Sequence, residues 1–255
     1  MPMPPKILLA ILAKQKAGVL AFFLDCIAGL DYPKSRIALH VRTNNNTDAT
    51  ADILRDWLAR HGASYADVEF DDADVPERVE AFGVHEWNAT RFSVLGRIRQ
   101  ASLERTPALG CDYYFVADVD NFLRPEALLA LVGLGLPIVA PFLKNVEPTS
   151  LYANFHYSVD SDGYMRACDE YLWVFNQQIR GIIEVAVVHC TYLVRADVIP
   201  RLLYSDGSGR HEYVVFSDSA RRQGIAQYID NRRVYGLVTF DEESVAAEGR
   251  LVGEG

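Results

Sequence analysis

Two continuous apolar runs near the start, Lys6-Ile-Leu-Leu-Ala-Ile-Leu-Ala13 and Arg36-Ile-Ala-Leu-His-Val41, constrain the fold more than anything else in this chain. A strand with one wet face alternates apolar and polar residues, whereas a strand covered on both faces is apolar throughout. Both runs are of the second kind. Between them Val19–Leu30 has the composition of a buried helix, closed by Asp31-Tyr-Pro33. The pattern then repeats. Ile53, Leu54, Trp57 and Leu58 recur at helical spacing behind Thr47 or Asp48 as cap. Val68–Phe70 is a short strand running into the acidic stretch Asp71–Glu80. An arginine-rich helix over 90–105 leads to the strand Tyr113–Ala117, Pro125 opens the helix Glu126–Val132, and Pro137–Ala140 is a further strand. Strand and helix alternating over about 140 residues predict an α/β fold of Rossmann-like type: an open, mainly parallel sheet flanked by helices on both faces.

The second half is less regular. Phe155–Val159 and Gly163–Arg166 flank Asp160-Ser-Asp-Gly163 as a predicted hairpin. Val185–Val194 reads as one strand, and Ser217–Gln223 as part of a helix. No repeat or linker interrupts the chain, so residues 1–255 are expected to form one domain, with residues 141–255 as a smaller, irregular, β-containing half.

Composition narrows the partners. Twenty-five basic against 34 acidic residues give a net charge of −9, which argues against nucleic acid. Cys26, Cys111, Cys168 and Cys190 form no C-x-x-C pair and no zinc-ligand rhythm, the usage of reduced thiols in a cytoplasmic protein. Val19–Leu30 is too short to cross a bilayer and carries Asp25, so no transmembrane segment is expected.

The sharpest chemical feature is Asp118-Val-Asp120, directly after an apolar strand. In open α/β sheets ligands bind beyond the carboxyl ends of the strands, where two carboxylates at i and i+2 suit a hard divalent cation that bridges phosphates. The alternative is a capping and a solvated aspartate, which the position after a strand disfavours. The polar loop Thr43-Asn-Asn-Asn-Thr-Asp48 follows the second strand at the same edge and suits a ribose, a base or phosphate; it could equally be a turn that caps a helix. Arg91, Arg97 and Arg99 offer forked donors for a diphosphate, although an arginine-rich helix face is more often solvated; of the three, Arg91 and Arg97 are the ones expected at the nucleotide sugar. His189, ending Val185-Ala-Val-Val188, is a candidate third metal ligand or a hydrogen-bonded structural histidine. Glu212 stands between the glycine-containing loop Gly207–His211 and the apolar Tyr213–Phe216, where a general base or a helix cap would both fit.

These residues fall in blocks that resemble the N-terminal glycosyltransferase domain of the procollagen galactosyltransferase family. The blocks are Leu30-Asp-Tyr-Pro-Lys-Ser-Arg36, Asp52–Leu58, Arg91-Phe92 with Arg99-Gln-Ala101, Ala117-Asp-Val-Asp-Asn-Phe-Leu123, Ile138–Pro141, Leu151-Tyr with Asn154-Phe155, Val188-His189 with Thr191, and Arg222-Gln-Gly-Ile225. The resemblance spans roughly residues 5 to 240. It implies a GT-A fold, with a nucleotide-sugar-binding half over about residues 1–140 and an acceptor half after it. It also implies a UDP-sugar donor and a manganese-type ion (Mn2+ or Mg2+) held by Asp118 and Asp120. On the same analogy Lys14, Thr43, Asn46 and Asp48 contact the nucleotide. The family carries Asp-Asp where this chain has His211-Glu212, which keeps an acid at the position of the base of an inverting enzyme. His211 replaces the first acid and is a possible proton shuttle. The expected function is a metal-dependent, inverting glycosyltransferase acting on a hydroxyl acceptor carried by a glycan, a protein or a lipid. The rival readings are an aspartate-dependent phosphotransferase or phosphohydrolase, whose motif normally follows the first strand of its sheet, and a non-catalytic binder of nucleotide sugars.

Overall fold

A computed structural model describes residues 3–77 and 88–240; the end of the acidic stretch Asp71–Glu80 lies outside them. The first half runs β1 (Ile7–Ala13), α1 (Ala17–Ala28), β2 (Ile37–Thr43), α2 (Thr50–His61), β3 (Asp67–Asp71), α3 (Ala89–Ala108), β4 (Tyr113–Ala117), β5 (Asn121–Leu123), α4 (Ala127–Val132) and β6 (Ile138–Pro141). The second half adds β7 (Leu143–Asn145), β8 (Phe155–His156), α5 (Asp169–Phe175), β9 (Ile182–Val185), β10 (Val187–Val188), β11 (Thr191–Arg195), α6 (Glu212–Arg222), β12 (Gln227–Asp230) and β13 (Gly236–Val238).

The main sheet has the order β3-β2-β1-β4-β11-β6-β12-β9. The first four strands are parallel, β11 lies antiparallel between β4 and β6, and β12 returns parallel to β6. Alternation along β1 divides the core. Ile7, Leu9 and Ile11 pack with Val19, Leu20 and Phe23 of α1 and with Leu54 and Trp57 of α2. Leu8 and Ala10 belong to the opposite layer, with Leu103 of α3 and with Phe216 and Ala220 of α6. Both faces are covered, which is why the strand sequence is unbroken by polar residues.

Strand order reverses at β1, which pairs with β2 on one side and with β4 on the other. Ligands collect at such a switch point because the loops leaving the two strands diverge to opposite faces and leave a crevice. Ala10 is level with Val116, so the ends of β1 and β4 reach the same edge. The segment after Ala13 and the Asp118–Asp120 turn therefore flank that crevice.

Two expectations for the second half change. Val185–Val194 is three strands, not one. It breaks at Ala186 and again at His189–Cys190, where Cys190 adopts a left-handed φ of 64°. The second break falls at the polar His189, and β9, β10 and β11 each bury against different partners: β12, β8, and β4 with β6. The predicted hairpin is reduced to its turn. Gly163, at φ 90°, donates its N–H to the Asp160 carbonyl at 3.2 Å, with a single bridge between Val159 and Met165 beyond it. Phe155 and His156 pair with β10 instead.

Gly96 of α3 allows a close approach that positions the rest of the helix. A Cβ there would stand 2.7 Å from the Tyr204 carbonyl oxygen and 3.6 Å from Cβ of Glu212. Backbone cannot yield as a side-chain tip can, so Gly96→Ala is expected to cost about 1–3 kcal/mol through overpacking. A melting temperature lower by several degrees, on the scale of about 2–4 °C per kcal/mol for a chain this size, is the expected readout. Unchanged melting would show that α3 can slide to accommodate a methyl group.

Candidate active site

The Asp118–Asp120 turn is held by backbone on three sides. Asp118 N–H donates to the Cys190 carbonyl at 3.1 Å, Asn121 N–H donates to the Asp118 carbonyl at 3.0 Å, and Thr239 N–H donates to the Asp120 carbonyl at 3.0 Å. Asn121 adds a side-chain bond from Nδ2 to Thr191 Oγ1 at 2.7 Å. The two carboxylates emerge partly open to solvent, with side chains 26% and 24% exposed. Asp118 Oδ1 accepts from Arg99 Nη2 at 2.6 Å, and Lys16 Nζ lies 3.5 Å from Asp120 Oδ2. Paired, partly hydrated carboxylate oxygens fit a hard divalent cation whose remaining ligands are phosphate and water. Among the described residues no group of three His, Cys, Asp or Glu side chains forms a closed metal-binding set.

Arg99 reaches the turn from α3 and also reaches α6. Its Nε lies 3.5 Å from Glu212 Oε1, and the two side chains are each only 7% exposed. Burial pushes the Glu212 carboxyl above the ordinary glutamate range, and Arg99 partly offsets that rise. Burial acts to lower the Arg99 pKa, yet Asp118 and Glu212 hold it well above the usual arginine value. Arg99 Nε and Nη1, Glu212 Oε2 and His189 Nε2 are all buried without a hydrogen-bond partner. Native interiors pair such atoms, so four of them here mark a place prepared for a ligand or for water.

His189 is itself buried, its Nδ1 2.9 Å from Cys190 Sγ and 3.3 Å from the Tyr152 hydroxyl. Burial, with the nearby His156, Arg99 and His211, pushes its pKa well below the ordinary histidine value and keeps the ring neutral, the form that can bind a metal. His211 is the N-cap residue of α6, its ring 3.8 Å from that of Phe92 and 5.2 Å from that of Tyr213. Burial pushes its pKa down as well.

The nucleotide-loop residues reach the predicted edge, and their side chains are committed to bracing it. Asn46 Oδ1 accepts from Gln15 N–H at 3.0 Å, and Asn46 Nδ2 donates to Thr43 Oγ1 at 2.5 Å. Asp48 accepts from Ala17 N–H, at the start of α1, and from Thr50 N–H at the start of α2, both at 3.1 Å. The loop thus ties both helix N-termini together. Lys14 stands half-buried just past β1, and Lys16 approaches the aspartate pair at Asp120. Arg91 is in the first turn of α3, its N–H capped by Asn88 Oδ1 at 3.1 Å. Arg97 is exposed and its fork is taken by Glu77 at 2.8 and 2.9 Å. Residues 97 and 99 lie about 200° apart around a helix, so only one of them can face β4. That one is Arg99. The signal was available in the sequence: Gly96, Arg99, Leu103 and Thr106 share a buried stripe at helical spacing.

Four non-glycine residues among those described have left-handed backbone: Gln15, Asn45, Gln177 and Cys190. Gln15 and Asn45 lie in the loops after β1 and β2, and Cys190 adjoins the aspartate turn. Such concentration of strain is a mark of functional loops.

The chain belongs to glycosyltransferase family 25: the model of that family's N-terminal domain matches residues 4–248. It is 34% identical over 243 residues to human procollagen galactosyltransferase 2, covering 92% of this chain and 38% of that protein. It is 32% identical over 249 residues to the human inactive glycosyltransferase 25 family member 3, covering 94% of this chain and 41% of the relative. The chain therefore spans about two fifths of the length of these relatives. Among solved structures it is similar to S. aureus TarS 1–349 in complex with UDP-GlcNAc, with a TM-score of 0.60 at 12% identity over 92% of this chain and 59% of that one. It is also similar to the Pyrobaculum calidifontis mannosyltransferase PcManGT in complex with GDP-Man and Mn2+, with a TM-score of 0.57 at 14% identity over 92% and 57%. The fold is of the GT-A kind.

Removing Arg99 tests whether it holds this centre together. Arg99→Met leaves Glu212 buried without its counter-charge and is expected to cost about 3–5 kcal/mol in urea denaturation. Adding Glu212→Gln should return part of that loss, because no buried charge then remains unpaired. A single mutant within about 1 kcal/mol of wild type would show that the ion pairs contribute little.

Proposed function

We propose that this member of glycosyltransferase family 25 transfers a sugar from a UDP-sugar to a hydroxyl acceptor, in a metal-dependent reaction that inverts the anomeric centre. The observation that carries the proposal is the division of carboxylates around Arg99. Asp118 and Asp120 are partly hydrated and faced by Arg99 and Lys16, whereas Glu212 is buried with one oxygen unpartnered. Two environments give carboxylates two roles. The solved structures of similar fold in complex with UDP-GlcNAc and with GDP-Man and Mn2+ support a nucleotide-sugar donor and a divalent ion.

Asp118 and Asp120 would hold the ion, Mn2+ or Mg2+, which supplies counter-charge to the departing diphosphate. Lys16 adds a second positive group beside Asp120. On the other side of the sugar the acceptor oxygen attacks the anomeric carbon, the bond from that carbon to the diphosphate oxygen breaks with its electron pair, and Glu212 takes the acceptor proton. A raised carboxyl pKa suits that task, since a base works best when its pKa lies near the operating pH. Arg99 positions the base and the first aspartate relative to each other. The backbone of Thr43–Asp48 and the segment Lys14–Lys16 form the floor on which the nucleotide rests.

The rival reading is a binder without turnover, favoured by the relatives named inactive. A phosphohydrolase is disfavoured because the aspartate pair follows β4 rather than β1.

Calorimetry and turnover separate the two readings that remain. Asp120→Asn should abolish manganese-dependent UDP binding while circular dichroism stays native, and unchanged affinity would remove the metal assignment. Glu212→Gln should keep UDP-sugar affinity and lower transfer by about 10²-fold or more. Near-native turnover in that variant, with a collapse in His211→Asn, would move the proton to His211.

A further inference from the structure

A pocket of about 470 Å³ opens beside the candidate active site, its walls formed mainly by Leu151, Tyr152, Phe155, His156, Met165 and Tyr171. All come from the second half of the chain. The lining is apolar, and Leu151 and Met165 are 56% and 43% exposed. Asp169 is the only charged residue among the described residues that line it. The Tyr171 hydroxyl is already spent on the Leu151 carbonyl at 2.6 Å. His156 is different. It is 8% exposed, and its Nδ1 has no hydrogen-bond partner. Concave, largely apolar space of this size with a few polar groups in its walls is the ordinary form of a small-molecule site.

Two wall residues join this pocket to the reacting centre. Tyr152 brings its hydroxyl 3.3 Å from His189 Nδ1 and 3.3 Å from Sγ of Cys190, the residue whose carbonyl receives Asp118 N–H. The His156 ring lies 5.0 Å from that of His189 and 5.7 Å from that of Tyr213, the neighbour of Glu212. One wall of the pocket is therefore shared with the active site. The donor side is already allotted to the crevice between β1 and β4, so an acceptor must approach from the second half of the chain.

We infer that this pocket holds the apolar aglycone of the acceptor, and that the acceptor is a small amphipathic molecule bearing an aryl or alkyl group beside its hydroxyl. The inference rests on the glycosyltransferase reading above and names the acceptor class that reading leaves open. The chemistry is unchanged: the acceptor oxygen bonds to the anomeric carbon, the nucleoside diphosphate leaves with the electron pair, and the proton passes to Glu212. The aglycone does no chemistry. It fixes the hydroxyl by burying apolar surface in the pocket.

The test offers methyl, phenyl and octyl β-glycosides of glucose, galactose and N-acetylglucosamine to the intact chain with UDP-sugars and Mn2+. For at least one sugar, kcat/KM for the phenyl or octyl glycoside is expected to exceed that for the methyl glycoside at least tenfold. Ala167→Trp, at an exposed position of the lining, fills the pocket without opening a hole in the core. It should cut the phenyl-to-methyl or octyl-to-methyl ratio at least fivefold while melting like the wild type. Equal use of methyl and phenyl or octyl glycosides overturns the inference, as does a ratio that survives Ala167→Trp. Donor hydrolysis with no transfer to any glycoside also overturns it, leaving the donor reading standing. Absence of both UDP binding and donor turnover brings down the glycosyltransferase reading and the inference with it.

Discussion

The contact on which the rest of this site depends is a guanidinium held between two carboxylates in a nearly dry place. Arg99 spans from α3 to Asp118 after β4 and to Glu212 at the head of α6, so a single side chain ties three elements together. Taking such charges out of water costs several kcal/mol per ion, and their attraction offsets this only when geometry is good. Here part of that geometry is left unfinished, with Arg99 and Glu212 both keeping unpartnered buried atoms. A folded state that retains unmet polar demand at one point is one in which bound ligand contributes more than it would on a saturated surface.

The parallel half of the fold was legible because each strand is covered on both faces and its sequence shows it. The aspartate pair was legible for a related reason, being the first polar residues after an uninterrupted apolar strand. What failed was anything decided by partners distant in sequence. The Val185–Val194 run reads as one strand in which His189 and Thr191 are the polar residues, yet pairing with β12, β8 and β4 cuts it into three. Among the arginines, residue type pointed equally to 91, 97 and 99, and only the helical phase of the buried stripe distinguishes Arg99 from Arg97. The loop Thr43–Asp48 illustrates a subtler limit. Its position at the sheet edge and Asp48 as a cap for the start of α2 were readable, but not that Asn46 and Asp48 would also be spent on Gln15 and Ala17 across the gap to β1.

Kinship with family 25 fixes the lineage and leaves the chemistry of the acceptor to this chain's own residues. Relatives at similar identity include proteins named as galactosyltransferases and proteins named as inactive, so overall likeness does not separate the two. His211, before Glu212, brings a ring packed on Phe92 to the entrance of α6.

The antiparallel seat of β11 has a consequence for how the protein is made. Residues 191–195 enter the sheet between β4 and β6, which emerge from the ribosome well before them. At about 5–20 residues per second, the interval of roughly 70 residues between β4 and β11 is synthesised in several seconds. Through that time β4 offers an open hydrogen-bonding edge, an invitation to wrong partners. The Asp118 turn cannot close until the Cys190 carbonyl arrives to receive its N–H. The geometry of the candidate site is thus among the last things to be born, and a nascent chain cut before β11 would carry the aspartate pair with nothing to aim it.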